Sequence, residues 1–231
     1  FNFLIESKGY IKSRKSFFQL NQNFKNHTCN LTEAATNHFF KHSNQSGSSI
    51  TNLKTLVMQQ HAENNEAISQ AQLEATVEAH HQFLSNGGAG GRWKTFEVGG
   101  FVFGVYTGQN SKDGKQANFE QHNLSSKMLD TCELQLPFTS FCGSYGKYQD
   151  FSDCDFSYSL FTDTNFEQAI FADANLSFSD FSRSNLREVS FMNANLENCD
   201  FENCDLTGAD FRGANWQGAK FPGATLNGVL Y

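Results

Sequence analysis

The sequence predicts a mainly β fold, a parallel solenoid wound as a square coil of twenty residues per turn, with an α-helical N-terminal region that ends in a capping helix. Three observations predict it. From Phe151 to Tyr231 every fifth residue is large and apolar without interruption. Two residues before each stands a mostly small one, as at Ala169, Ala174, Ser179, Ser184, Val189, Ala194 and Ala209. The residue between them is often Asp or Asn, as at Asp155, Asn175, Asp180, Asn185, Asn195 and Asp210.

Neither common period explains a repeat of five, since a strand alternates every two residues and a helix returns every 3.6. A short extended piece followed by a corner does explain it. The large residue and the small one two before it share a side of the extended piece and point inward, while Asp/Asn faces water. Four sides close a coil, and coils stack at about one strand spacing, ~4.8 Å. Columns of twenty then place like on like: Phe151, Phe171, Phe191, Phe211 and Tyr231 in one, Phe161, Phe181, Phe201 and Phe221 in another, Phe166, Leu186, Leu206 and Leu226 in a third. The 25 phenylalanines among 231 residues fit a core built repetitively from one side chain. Each buried ring removes ~150–250 Å² from water, several kcal/mol as an upper bound. Gly208, Gly213, Gly218, Gly223 and Gly228 hold the second position after the large residue, where φ > 0 would ease a corner.

In chain order, residues 1–65 form an N-terminal region, partly helical. Within it a hairpin is expected around Ser7–Gly9, a helix over 30–42 capped by Asn30 or Thr32, a linker over 43–49 and a helix over 51–61. Residues 66–92 form a capping segment: 66–85 are good helix formers with a stripe of Leu73, Val77, His80/His81 and Leu84, and the Gly-rich run 87–91 stops the helix. Residues 93–231 form the solenoid. Phe96, Phe101 and Tyr106 start the spacing of five, 107–114 reads as an inserted loop, and Phe119, Leu124, Leu129 and Leu134 resume it. A two-residue slip at Leu136–Pro137 then leads into Phe141, Gly146 and Phe151.

The segments ANLEN (194–198), ADFRG (209–213), ANWQG (214–218) and AKFPG (219–223) resemble the pentapeptide-repeat family. The resemblance is tight over about 149–231 and looser back to Trp93. It implies a right-handed quadrilateral β-helix, and the helix with its Gly-rich turn resembles the lead-in segment of many bacterial members. Phe often stands where the family more commonly has Leu.

Residues 150–231 carry 13 acids against 4 bases, a net of −9, and residues 1–149 carry 11 against 13, a net of +2. The acidic half argues against direct nucleic-acid binding, which needs basic surface. No run reaches the ~18–20 apolar residues of a membrane helix. The six cysteines contain no CxxC pair and read as reduced thiols of a cytoplasmic protein, although a chain beginning at Phe1 leaves room for a removed targeting segment. In the register Cys199 and Cys204 are the small inward residues on adjacent sides, while Asp200, Asp205 and Glu202 face outward. That spacing separates thiols from carboxylates and favours packing over a metal site. His80-His81 lacks a second ligand pair, the Gly-rich run lacks the Lys-Ser/Thr of a phosphate loop, and no nucleophile–base arrangement follows from spacing. No cofactor, no metal and no enzyme activity are expected.

The informative positions are apolar residues on the outer wall. Tyr158 and Phe178, twenty apart, should stack on one corner with Leu160 across it, and Ile170 and Met192 form a second, weaker patch. The pattern predicts partner binding there, unless the N-terminal segment folds back over it. Function is expected to be non-catalytic: an interaction or scaffold protein with a rigid acidic wall, binding protein partners. The alternative that the resemblance implies is a DNA-mimicking protein that protects gyrase, against which the acids are spread over several faces with Arg183, Arg212 and Lys220 among them. Near Tyr231 either the coil is truncated or two chains stack end to end as a homodimer.

Overall fold

The structure, a computed structural model, describes residues 60, 62–86, 93–98, 101–106, 116–125, 131 and 133–231. The expected hairpin near Ser7–Gly9, the helices over 30–42 and 51–61, the linker over 43–49, the loop over 107–114 and the run 87–91 lie wholly or almost wholly outside the described residues.

From Gln135 onward the chain is a coil in which every fifth residue bridges, in parallel, to the residue twenty further on: Gln135 to Asp155, Ser140 to Leu160, Tyr145 to Asn165, Asp150 to Ile170, and so on up to Asp210 and Leu230. Four bridges per turn make four sides, so the fold is a β-solenoid. On each side one residue bonds backward and the next forward. The Asp155 N–H donates to the Leu134 carbonyl at 2.8 Å, and the Phe156 N–H donates to that of Asn175 at 2.9 Å. The corner follows at once: the Ser159 N–H closes back on the Phe156 carbonyl at 3.2 Å, and the residue between, Tyr158, has φ +61°. This left-handed corner recurs along the coil. Glycine fills it from Gly208 to Gly228, with φ of 69–75°, but Asp153, Gln168, Asn193 and others adopt it too.

The outward Asp and Asn residues brace these corners. The Asp155 carboxylate accepts the Ser157 N–H at 2.9 Å, and Asn165, Asp180, Asn195, Asp205 and Asp210 do the same two residues on. Along one side they also bond to each other: Asn175 Nδ2 donates to Asp155 Oδ1 at 3.0 Å, Asn195 to Asn175 at 3.1 Å and Asn215 to Asn195 at 3.2 Å. Much of the wall's acidity is therefore part of the turn chemistry.

Inside run two aromatic stacks. Phe119, Phe141, Phe161, Phe181, Phe201 and Phe221 lie nearly parallel, with centroids 4.6–5.2 Å apart. Phe151, Phe171, Phe191 and Phe211 form the second, spaced 5.2–5.7 Å. The stacks meet edge to face, as Phe161 does Phe171 at 5.9 Å and 84°, an arrangement that suits the ring quadrupoles.

The beginning of the coil departs from the sequence expectation in two places. Residues Trp93–Val98 (β1) and Phe101–Tyr106 (β2) are not coil sides but an antiparallel pair, Val98 opposite Phe101 and Trp93 opposite Tyr106. The dipeptide Gly99-Gly100 joining them is a two-residue hairpin signal. The coil begins instead near Asn118, which bridges to Ser140, as Asn123 does to Tyr145, both 22 residues on. The two extra residues therefore lie between Asn123 and Gln135, before the expected slip. In consequence Leu136, fully buried, is the large inward residue, and Leu134 is the partly buried small-position one.

Helix α1 (Gln70–Ser85) lies against this first coil. Ser69 caps it, with Gln72 reaching back to the Ser69 N–H at 2.7 Å in a reciprocal box. Before the helix the chain is moored to the coil: Ala67 bridges to Asn123, and the Ile68 N–H donates to the Asn123 carbonyl at 3.0 Å. Leu73, His80 and Phe83 are the buried face of α1.

Candidate partner-binding surface

Tyr158 and Phe178 stack as the spacing predicts, 4.9 Å apart and 2° from parallel, and the column continues down to Phe138, 5.0 Å from Tyr158. All three rings stand on left-handed corners, with φ of 61–64°. The expectation of an open patch is corrected at its lower end. Phe83 packs with Phe138, both buried, and Leu84, Tyr158 and Leu160 complete that cluster half-buried. Phe178 is also half-buried. Helix α1 thus covers one end of the column through Phe83 and Leu84. Burial pushes the Tyr158 hydroxyl up to about 12, with the Glu197 and Asp155 carboxylates adding to the rise. Its phenol stays neutral, a donor for a hydrogen bond at any physiological pH.

Ile170 and Met192, each 38% exposed, are on the open wall. Tyr148, 62% exposed with the Lys147 ammonium 4.9 Å above its ring, was not singled out by the sequence reading, and its corner position is the signal that could have found it. At the far end Trp216, Leu226, Leu230 and Tyr231 are exposed, and an apolar cup of about 360 Å³ is lined by Phe211, Trp216, Phe221, Leu226, Val229 and Tyr231.

Cys154, Cys199 and Cys204 are buried and in no disulfide. Each thiol donates to a backbone carbonyl of the coil below: Cys199 to Leu176 at 2.9 Å, Cys204 to Phe181 at 2.8 Å, Cys154 to Thr131 at 3.0 Å. Ser179 and Ser184 make the same bond with their hydroxyls, to Phe156 at 2.9 Å and Phe161 at 2.6 Å. The inward small position therefore takes a short side chain that supplies a second donor to an inward-facing carbonyl. Burial pushes both Cys199 and Cys204 far above the usual thiol range, which suppresses the thiolate that metal binding and redox chemistry need. Among the described residues no group of three or more His, Cys, Asp or Glu could hold a metal ion. Among the described cysteines Cys142 departs from the expectation of reduced thiols: it is disulfide-bonded.

Among the described residues four cations of the wall are paired with acids. Arg183 grips Asp163 on the coil below through two bonds, Nε at 2.9 Å and Nη2 at 2.6 Å. Arg187 pairs with Asp205 at 3.1 Å, Arg212 with Asp210 at 2.7 Å, and Lys147 with Glu167 at 3.1 Å. Asp180 and Asp200 stack on one side, 5% and 6% exposed, between Leu160 and Lys220. Burial first, then the neighbouring Asp200, raises the Asp180 carboxyl above its usual range.

Among the described histidines His80 is the one buried completely. Its Nδ1 accepts the Ala117 N–H at 2.9 Å, so the ring proton sits on Nε2, which donates to the Pro137 carbonyl at 2.8 Å. Burial lowers it to about 4, opposed by the bond to Pro137 and assisted by His81.

Among the described residues no helix is long and apolar enough to cross a membrane. Residues 159–230 match the family model described as a pentapeptide repeat region. Among solved structures, the chain is similar to a pentapeptide repeat protein from the Arabidopsis thaliana thylakoid lumen, at 29% identity over 41% of this chain and 63% of that one, with a TM-score of 0.34. It is similar to HetL, a pentapeptide repeat protein involved in heterocyst differentiation regulation in the cyanobacterium Nostoc, at 19% identity over 50% of this chain and 55% of that one, TM-score 0.28. It is also similar to trypsin-treated QnrB1, a plasmid-mediated fluoroquinolone resistance protein, at 20% identity over 48% and 58%, TM-score 0.19. The chain thus spans less than two thirds of each of these three. Among curated proteins none matches it.

Proposed function

We propose that this chain, whose residues 159–230 are a pentapeptide-repeat region, is a non-catalytic interaction or scaffold protein that meets a protein partner on the wall around Tyr158, Leu160 and Phe178, with Ile170 and Met192 as a lesser contact. The observation that carries this reading is the stacked column Phe138–Tyr158–Phe178 on a corner that needs no aromatic residue, since Asn198 and Gly218 fill it higher up. A rigid backbone presents these rings at fixed spacing, so a partner pays little ordering entropy to engage them.

The alternative, mimicry of duplex DNA toward gyrase, has the net charge of the coil in its favour. The disposition of that charge speaks against it: Asp163, Asp205 and Asp210 are each paired with arginine, and many other acids brace corners. The apolar cup at Trp216, Leu226 and Tyr231 supports an end-to-end homodimer, which a monomeric mass at high concentration would exclude. The disulfide at Cys142 fits an oxidising compartment better than the cytoplasm that reduced thiols implied.

The test compares wild type with Tyr158→Asn/Phe178→Asn and with a Tyr148→Asn control, on an exposed ring outside the proposed contact, in cross-linking capture and light scattering. Loss of a specific partner in the first variant but not the control is expected. An identical partner set and mass in all three would sink the reading.

A further inference from the structure

We propose that α1 is an acid-released cover: His80 latches its C-terminal half to the first coil through two backbone groups, and protonation of that imidazole lifts Phe83 and Leu84 off the aromatic column. Three observations carry the inference, and none depends on the column having a partner.

The first is what His80 bonds. It takes the Ala117 N–H on one nitrogen and gives its own N–H to Pro137 on the other, both at the start of the coil. An imidazolium carries a proton on each nitrogen. It can keep the Pro137 bond, but it must turn a donor toward the Ala117 donor, leaving a buried backbone N–H without an acceptor.

The second is the setting. His80 is fully buried, with the Phe83 ring 5.3 Å away. The coil side presents backbone groups of Ala117 and Pro137, and the ionisable group that acts on His80 among the described residues is His81, on the same helix. Its influence on His80 is to oppose a proton there. A charge buried without a partner is expelled rather than tolerated.

The third is the geometry of the exit. The segment before α1 has its own moorings: the Ala67–Asn123 bridge, the Ile68 bond, Asn65 Nδ2 to the Gln121 carbonyl at 2.8 Å and Asn123 Nδ2 to the Asn65 carbonyl at 3.0 Å. Released at His80, the helix pivots about Ser69 and remains tethered. The same half of the helix carries Phe83 and Leu84, so latch and cover move together.

The sign follows from the lowered value. Closure favours neutral His80, so the full latch strength is present above about pH 6.5 and is lost as the pH falls toward about 4. Between neutral pH and about 4.5 the opening equilibrium rises on the order of 10²-fold.

The experiment is hydrogen exchange of the full chain with peptide resolution, from about pH 7.5 to 4.5 and corrected for intrinsic exchange. Protection over 70–85 should fall on the order of 10²-fold, while 176–206 shows no such fall. His80→Gln, which has an acceptor and a donor but does not titrate, should flatten the dependence. Equal behaviour of helix and coil, or the same acid loss in His80→Gln, overturns the proposal. Should that variant not fold, the wild-type His80 Cε1 resonance decides: titration near the ordinary ~6.5 refutes a latch, and a strongly lowered midpoint supports it.

Discussion

Gly146 stands in the column that Phe166, Leu186, Leu206 and Leu226 occupy in later coils, so it is a missing large residue in an otherwise filled core. The ring of Phe166 fills the room. A Cβ built at Gly146 overlaps Phe166 Cε1 and Cδ1 and stands 3.2 Å from Cζ. Carbons in ordinary contact sit ~3.5–4.0 Å apart, so Gly146→Ala forces the ring away by on the order of 1 Å or more. It has little room to go, because the rings of Phe151 and Phe171 stand edge-on at 5.7 and 5.8 Å. Overpacking of this kind typically amounts to ~1–3 kcal/mol, and the severity of the overlap puts Gly146→Ala near ~3. For a chain of this size that is a fall in Tm of roughly 6–12 °C, read by near-UV circular dichroism. Phe166→Leu restores what the column holds above and withdraws the overlapping atoms. The pair Gly146→Ala/Phe166→Leu should therefore lose less than the sum of the single changes, with a coupling above ~1 kcal/mol. A near-neutral Gly146→Ala, or strict additivity in the double variant, would falsify this account of the packing.

Two further outcomes follow from the wall and the interior. Asp200→Asn places an amide one coil beyond Asp180, as Asn175 stands beyond Asp155, and should donate to Asp180 in the same way, raising stability by about 1 kcal/mol near pH 7. A buried carboxyl held above its ordinary value takes up a proton on folding, so wild-type stability rises as the pH falls through that raised value toward the usual carboxylate range; Asp200→Asn should weaken the rise, and a variant less stable than wild type at neutral pH in a denaturant titration would count against it. Cys199→Ser should be tolerated within about 1 kcal/mol, because Ser179 makes the corresponding bond one coil earlier, and zinc should not shift the melting curve of wild type. A collapse of the serine variant, or a zinc-dependent rise in Tm, would restore a ligand role to the thiols.

The coil was legible because its period is set by backbone geometry: five residues are one side plus one corner, whatever the side chains outside. The inward Cys199 and Cys204, the outward acids and the stacking of Tyr158 on Phe178 all follow from that register. The departures from that register fall where a count of five is satisfied and a count of twenty is not. Phe96, Phe101 and Tyr106 keep the spacing, but Lys94 stands where a small inward residue belongs, and Gly99-Gly100 is a hairpin dipeptide. Likewise, stepping back twenty from Phe156 lands on Leu136, and from Tyr158 on Phe138, which places the two extra residues before Gln135. Leu134 and Leu136 share strand parity, so either satisfies the pattern locally. The burial of the patch was less accessible. It depends on Phe83 reaching Phe138 across 55 positions, and a repeat pattern holds no information about contacts outside the repeat. The Ser69–Gln72 box, by contrast, was written in the sequence and sets the helix start four residues later than its composition does, at Gln70.

Stability and surface chemistry are separable in this fold, and the aromatic column shows how. Left-handed φ at a bulky residue is uncommon and disfavoured by about 1–2 kcal/mol, yet Phe138, Tyr158 and Phe178 all adopt it. Stacking returns roughly 0.5–1.5 kcal/mol per pair, so the rings gain the coil little. Asn198 occupies the same corner with φ +59°, and Asn tolerates that region well. Tyr158→Asn/Phe178→Asn should therefore leave the coil within about 1–2 kcal/mol of wild type, with an unchanged far-UV spectrum. If the double variant unfolds by several kcal/mol, the rings serve the fold and the partner reading loses its support. If it folds normally, the column is free to be explained by what it touches.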